Sequence, residues 1–213
     1  MILRRNKSGF TLVELLVAMA ISTIVLAMIY QVYRSQLRTH TTQQELVEMQ
    51  QNMRAVLYLM EREIRMAGHA PNGGVADPAI TTAQVDNIAF AMDISGGTTL
   101  DPSDGDTNDI GERINYFLDP GTGQLIRNAS DGNGNQPLLE ASDFNSLTFV
   151  YKDSNGVTLD DDGAGNLTTT ASRQAIRTVE IVLNASIGTT AMVDPHQMQL
   201  TSEVKIRNLG LTP

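Results

Sequence analysis

From Phe10 to Ala67 the chain contains neither glycine nor proline, a run of 58 residues. Nothing in that run breaks a helix, and as one helix it would reach about 87 Å at 1.5 Å per residue. A small domain is only about 30 Å across, so a helix of this length must pass through more than one environment.

The side chains divide the run accordingly. Phe10 to Tyr30 holds 21 residues with Glu14 as its only charge. As a helix that part would span about 31 Å, the hydrocarbon thickness of a bilayer. Arg4, Arg5 and Lys7 precede it. The positive-inside bias predicts a short cytoplasmic N-terminus and export of everything beyond. Arg34 to Glu45 is almost wholly polar, as suits the water just outside a membrane. Leu46, Met49, Met53, Val56, Leu57, Met60, Ile64 and Ala67 then fall three or four apart, on one helical face. A methionine-rich stripe can line a binding groove, but packing on a folded domain is the simpler reading. Glu61 and Arg65 stand at the spacing of a helical ion pair. Gly68 and Pro71 predict the helix stop.

Three readings compete for the N-terminal segment. Ala18-Met19-Ala20 has the form of a signal-peptide cleavage site, yet it lies inside the apolar run and not after it. A plain membrane anchor conflicts with Glu14, because an unpaired carboxylate in hydrocarbon costs on the order of 2–3 kcal/mol. The third reading supplies a partner for that charge. Lys7-Ser8-Gly9-Phe10-Thr11-Leu12-Val13-Glu14-Leu15 resembles the processing motif of type IV prepilins and type II secretion pseudopilins. The resemblance implies cleavage between Gly9 and Phe10 by a prepilin peptidase at the cytoplasmic face, and N-methylation of Phe10. It also implies that Glu14, fifth in the mature chain, pairs with the terminal amine of a neighbouring subunit. Two buried charges are tolerated when they pair. Many family members carry a helix-bending proline about twenty residues into the mature chain. Gln31 stands near that place here, so a straighter helix is expected.

Charge limits what the rest can bind. There are 15 Lys+Arg against 24 Asp+Glu, and without Arg4, Arg5 and Lys7 the balance falls to −12. Such a body repels phosphate backbones, so nucleic acid is not an expected partner. Cysteine is absent, which removes thiolate metal sites, thiol nucleophiles and disulfides.

Beyond Asn72 the pattern changes to short β-type runs between Gly/Asp/Asn-rich turns. Strands are expected at Asn87–Met92, Arg113–Leu118, Gln124–Asn128, Ser146–Lys152, Ala175–Ala185 and Gln197–Asn208. Tyr116 to Ile126 reads as a hairpin. The expected fold is α+β and type IV pilin-like, with a long N-terminal helix packed on an antiparallel sheet. Its parts are a leader (1–9), a membrane or filament-core helix half (10–33), an amphipathic half (34–68) and a β-rich exported domain (69–213). Gln50 to Gly68 resembles the helix segment of minor pilins of the PilW type, a group related to the J-type pseudopilin of type II secretion. The strand region from Arg113 to Asn184 resembles the same group more loosely.

Acidic loops are the one other chemical signal. Asp101 to Glu112 offers oxygen ligands at alternate positions, with Asp104, Asp106 and Asn108 as weak calcium candidates. Counted from Asp104, position six is Asp109 where an EF-hand needs glycine, and position twelve is Asn115. Asp160 and Asp162 belong to a shorter version, and Asp131-Gly-Asn133-Gly-Asn135 to a third. Solvated turns account for all of them without an ion. His40, His69 and His196 have no metal-ligand spacing, and no nucleophile elbow or phosphate loop occurs, so no enzyme is expected. No cofactor is expected unless calcium binds.

The functional expectation is therefore a minor pilin that helps start or cap a type IV pilus. Its implied partners are other minor and major pilins, the prepilin peptidase and the inner-membrane assembly platform. Its implied location is the inner membrane, single-pass with a cytoplasmic N-terminus, and then the pilus, periplasm or cell surface. A minor pseudopilin of type II secretion is an alternative, as is a tip-displayed adhesion module that depends on calcium.

Overall fold

The computed structural model describes residues 9–70, 79–94, 106–107, 109–130, 132–140, 144–187 and 196–209. It is α+β, with a long helix ahead of antiparallel sheets. Two compact units divide between Val47 and Glu48.

The first unit is helical. Helix α1 runs Leu12–Ile64 over 53 residues, and its N-terminal part makes up this unit. Every described residue from Gly9 to Thr41 is exposed, including Leu12, Val13, Ile21, Ile24 and Met28. Within the helix an 18-residue window is apolar enough to cross a membrane. A helix apolar all round and uncovered by its own chain needs lipid or other helices as its solvent.

The second unit begins with the last turns of α1. Met49, Met53, Val56, Leu57, Met60 and Ile64 are buried there, at helical spacing, in one apolar core. The helix ends at Ile64, and Arg65–Gly68 form a turn in which Met66 and Ala67 N–H donate to the Glu63 and Ile64 carbonyls. Gly68 takes φ +74°, a conformation open to glycine, and its N–H donates to the Ala91 carbonyl at 2.8 Å. Pro71 lies outside the described residues. The expected Glu61–Arg65 pair does not form. Glu61 accepts the Ser202 hydroxyl instead, a bond to the sheet replacing one along the helix.

One sheet is expected, and two are found among the described residues. Strands β1 Ile80–Ala83, β2 Asn87–Ala91, β3 Arg113–Leu118, β4 Leu125–Asn128 and β5 Asn135–Leu139 form the first in sequential order. Strands β6 Ser146–Lys152, β7 Thr158–Leu159, β8 Thr178–Ile187 and β9 His196–Lys205 form the second, ordered β7-β6-β8-β9. All pairings are antiparallel. The sheets meet through backbone bonds, Phe149 N–H to Val85 carbonyl at 2.7 Å and Leu167 N–H to Ala83 carbonyl at 2.8 Å. Alternate residues of β2, β3, β6 and β8 enter the shared core: Ile88 and Phe90, Ile114 and Tyr116, Leu147, Phe149 and Tyr151, Val179, Ile181 and Leu183.

Several strand ends differ from expectation by one to three residues, and at two of them the local reason is plain. Ala175 ends a short helix, α2 Thr170–Ala175, whose N-cap Thr169 accepts from Ser172 N–H. The following strand therefore starts at Thr178. The last strand stops at Lys205, where Ile206 N–H turns to the Arg177 carbonyl at 3.0 Å. Strand β5 escapes a sequence reading because it holds Pro137, which fits here because β5 is the edge of its sheet.

Candidate functional site

The segment most open to chemistry is the start of α1. Thr11 precedes the first helical residue, and Glu14 occupies the third. Glu14 Oε2 accepts both the Thr11 N–H and the Thr11 hydroxyl at 2.9 Å, while Glu14 N–H donates back to Thr11 Oγ1 at 3.3 Å. This is a reciprocal capping box, which satisfies amides that a helix start leaves open and fixes where the helix begins. The Thr-x-x-Glu pattern is its sequence signal. Both incoming bonds use Oε2. Gly9 has open space where a side chain would stand. Phe10 is 90% exposed. Gly9, Phe10 and Glu14 thus lie together, on an uncovered segment. Arg4, Arg5 and Lys7 lie outside the described residues.

The weak calcium candidates separate. Asp104 and Asn108 lie outside the described residues. Asp160 Oδ1 accepts the Asp162 and Gly163 amides at 3.1 and 2.8 Å, and Asp162 accepts from Ala164 and Asn166. Those carboxylates are turn-formers whose oxygens serve their own loop. Asp161 between them accepts the Thr168 and Thr169 amides and the Ser172 hydroxyl, tying the loop to α2. These bonds hold its carboxyl below the usual range, the Ser172 hydroxyl foremost. Asp106 instead groups with Asp109 and Glu112, their ligand atoms within 4.8 Å of one another. Glu112 is fully buried and accepts the Ile94 amide at 2.9 Å and the Asp109 amide at 3.2 Å. His40 is exposed on α1, and His69 follows the helix turn. His196 starts β9.

A buried polar cluster was not anticipated. Glu63 of α1 receives Arg127 of β4 and the Tyr116 hydroxyl of β3. Its signal was the spacing: Glu63 sits three residues after Met60 and seven after Val56, on the apolar face. Loss of water around the Tyr116 phenol, then the Glu63 charge, raise its pKa well above normal.

The family model of the prokaryotic N-terminal methylation motif matches residues 4–30. Among solved structures, the chain is similar to a type IV-like pilin, TTHA1219 from Thermus thermophilus. The identity is 11%, the TM-score 0.43, and the match covers 75% of this chain and 97% of that one. No curated protein matches. The N-terminal segment therefore carries the prokaryotic N-terminal methylation motif, which supports a membrane-anchored, pilin-like subunit as the coarse reading.

Proposed function

We propose that this chain is the precursor of a minor pilin acting in the initiation or tip complex of a type IV pilus. A prepilin peptidase cuts between Gly9 and Phe10, and Phe10 is N-methylated. The mature helix first anchors the protein in the inner membrane, with its N-terminus cytoplasmic. Later it packs beside the helices of other minor and major pilins on an assembly platform, where Glu14 meets the terminal amine of a neighbour. The observation that carries this reading is the methylation motif over residues 4–30, which takes in the uncovered apolar start of α1. The acidic body supports a structural and exported role over nucleic-acid binding. The protein makes and breaks no bond itself in this reading.

Mass spectrometry of the mature chain from its native host tests the proposal. The expected N-terminus is a methylated Phe10, and Gly9→Leu is expected to leave uncut precursor in the membrane. A mature chain starting elsewhere, or normal maturation of Gly9→Leu, overturns it. A calcium-dependent binding module at a filament tip is the second reading, favoured by the Asp106, Asp109 and Glu112 group. Absence of both heat and thermal shift on titration with Ca²⁺ removes that second reading.

A further inference from the structure

The last residues of β9 bring distant cations to one place. Ile206 N–H donates to the Arg177 carbonyl at 3.0 Å, and Arg207 N–H to the Arg65 carbonyl at 3.5 Å. Lys205 pairs in register with Thr178, the residue after Arg177. Arg65, Arg177, Lys205 and Arg207 therefore surround a single backbone junction. All four line a cleft of about 990 Å³, closed on another side by the turn Asp153–Gly156.

These charges run against the composition of the body. From Glu48 onward there are 10 Lys+Arg against 22 Asp+Glu, yet four of those cations share this cleft. The ion pairs among the described residues are Arg127–Glu63, Lys152–Glu180 and Lys152–Glu203, so none involves the four. Two acids, Asp153 and Glu203, line the same cleft, so the cations outnumber the acids by four to two. Asp153 accepts the Asn155 and Val157 amides at 2.8 and 2.9 Å, and Glu203 faces Lys152 at 3.6 Å. Like charges gathered around one junction repel one another, and an incoming anion removes that repulsion.

We propose that this cleft docks a carboxylate-rich segment of a partner protein. Arg177 Nη1 donates to the Gln174 and Ile176 carbonyls at 2.7 Å, which holds that guanidinium at the cleft. The Arg65 and Arg207 forks match a carboxylate at two points. The cleft has the volume of a site for several side chains, larger than a single small ion requires. Its wall also carries the half-buried Leu209, apolar surface that a polypeptide can cover. An anionic membrane surface fits less well, because the acidic remainder of the body would be repelled from it. A single acidic segment reaching into the cleft escapes that repulsion. The inference stands on the cleft alone and goes beyond the filament reading.

The test titrates the full-length chain, in non-ionic detergent, with a fluorescent hexaglutamate peptide. Saturable binding that weakens as salt rises is expected. Arg65→Glu/Arg207→Glu is expected to bind at least about tenfold more weakly, since two attractions become repulsions. Both side chains are exposed, so the fold tolerates the change. Arg54→Glu/Arg62→Glu alters net charge equally, on exposed helix positions outside the cleft, and is expected to bind like the parent chain. Absence of saturable binding, or equal weakening in the two double variants, overturns the proposal. So does displacement of the peptide by inorganic phosphate at matched ionic strength, which reveals a small-anion site. Recruitment to phosphatidylglycerol vesicles without peptide binding also overturns it, in favour of a lipid surface. None of these readouts depends on how the N-terminus is processed.

Discussion

Arg127 grips Glu63 at two points, Nε to Oε2 at 3.0 Å and Nη2 to Oε1 at 2.9 Å, joining β4 to the last turns of α1. The Tyr116 hydroxyl donates to the same carboxylate, and Gln136 accepts from Arg127 Nη1 at 3.2 Å. Glu63→Ala leaves a guanidinium and a phenol without their acceptor, a cost of about 3 kcal/mol or more. Replacing both charged partners by Met is expected to cost less than Glu63→Ala alone, because no uncompensated charge stays behind. Urea midpoints of the full chain in non-ionic detergent, followed by tyrosine fluorescence, measure both. A double variant weaker than Glu63→Ala would show that the pair stabilises beyond its burial.

The tyrosines predict alkaline sensitivity. Burial, with Glu63 nearby for Tyr116 and Asp86 for Tyr151, raises both phenols above the ordinary pKa of about 10. Above that pH the unfolded chain releases protons that the folded chain retains, so stability falls as pH rises. The contribution is fully present below about pH 10 and drains away above it. Tyr116→Phe is expected to lower the urea midpoint at pH 8, yet flatten its decline between pH 9.5 and 11. An unchanged decline would mean that the phenol ionises freely in the folded protein.

Asp161 gives the opposite sign. Its carboxyl is held low by the Ser172 hydroxyl and the Thr169 and Thr168 amides. Its contribution is present above the ordinary carboxyl pKa of about 4 and is lost as pH falls through the folded value. Asp161→Ala should speed amide hydrogen exchange at Thr168 to Arg173 at pH 7. Exchange is expected to leave β3 and β4 untouched. Unaltered exchange at Thr168 and Thr169 would mean their amides have other acceptors.

Legibility in the sequence follows how local each determinant is. β3 and β6 are read end to end, because Arg113–Leu118 and Ser146–Lys152 alternate apolar and polar residues between turn formers. The methionine stripe is read as core for the same reason. α2 is missed because Thr170–Ala175 is too short to show a period. Separation into two sheets is missed because it depends on Phe149 bonding to Val85, 64 residues away. The N-terminal motif is contiguous, so the resemblance that marks it is carried by neighbouring residues, Lys7 to Leu15. The basic cleft is not, since Arg65, Arg177 and Arg207 meet only through the backbone bonds at the end of β9.

Glu14 has two separable tasks, and conservative substitution divides them. In the isolated chain its carboxylate closes the capping box with Thr11. In the proposed filament its charge also meets a neighbour's amine. Gln can complete a capping box but carries no charge, whereas Ala does neither. Glu14→Gln is therefore expected to keep the helix start at Leu12, yet enter filaments as poorly as Glu14→Ala. Thr11→Ala removes the cap and keeps the charge. It is expected to fray the first turn at a cost of about 1 kcal/mol while still entering filaments. Amide exchange over residues 11–15 in micelles reports the helix start, and quantitative immunoblotting of sheared filaments reports entry. Full entry of Glu14→Gln would assign the carboxylate to capping alone and remove the intersubunit pair. Loss of entry in Thr11→Ala, with Glu14 intact, would make the ordered helix start the feature that assembly reads.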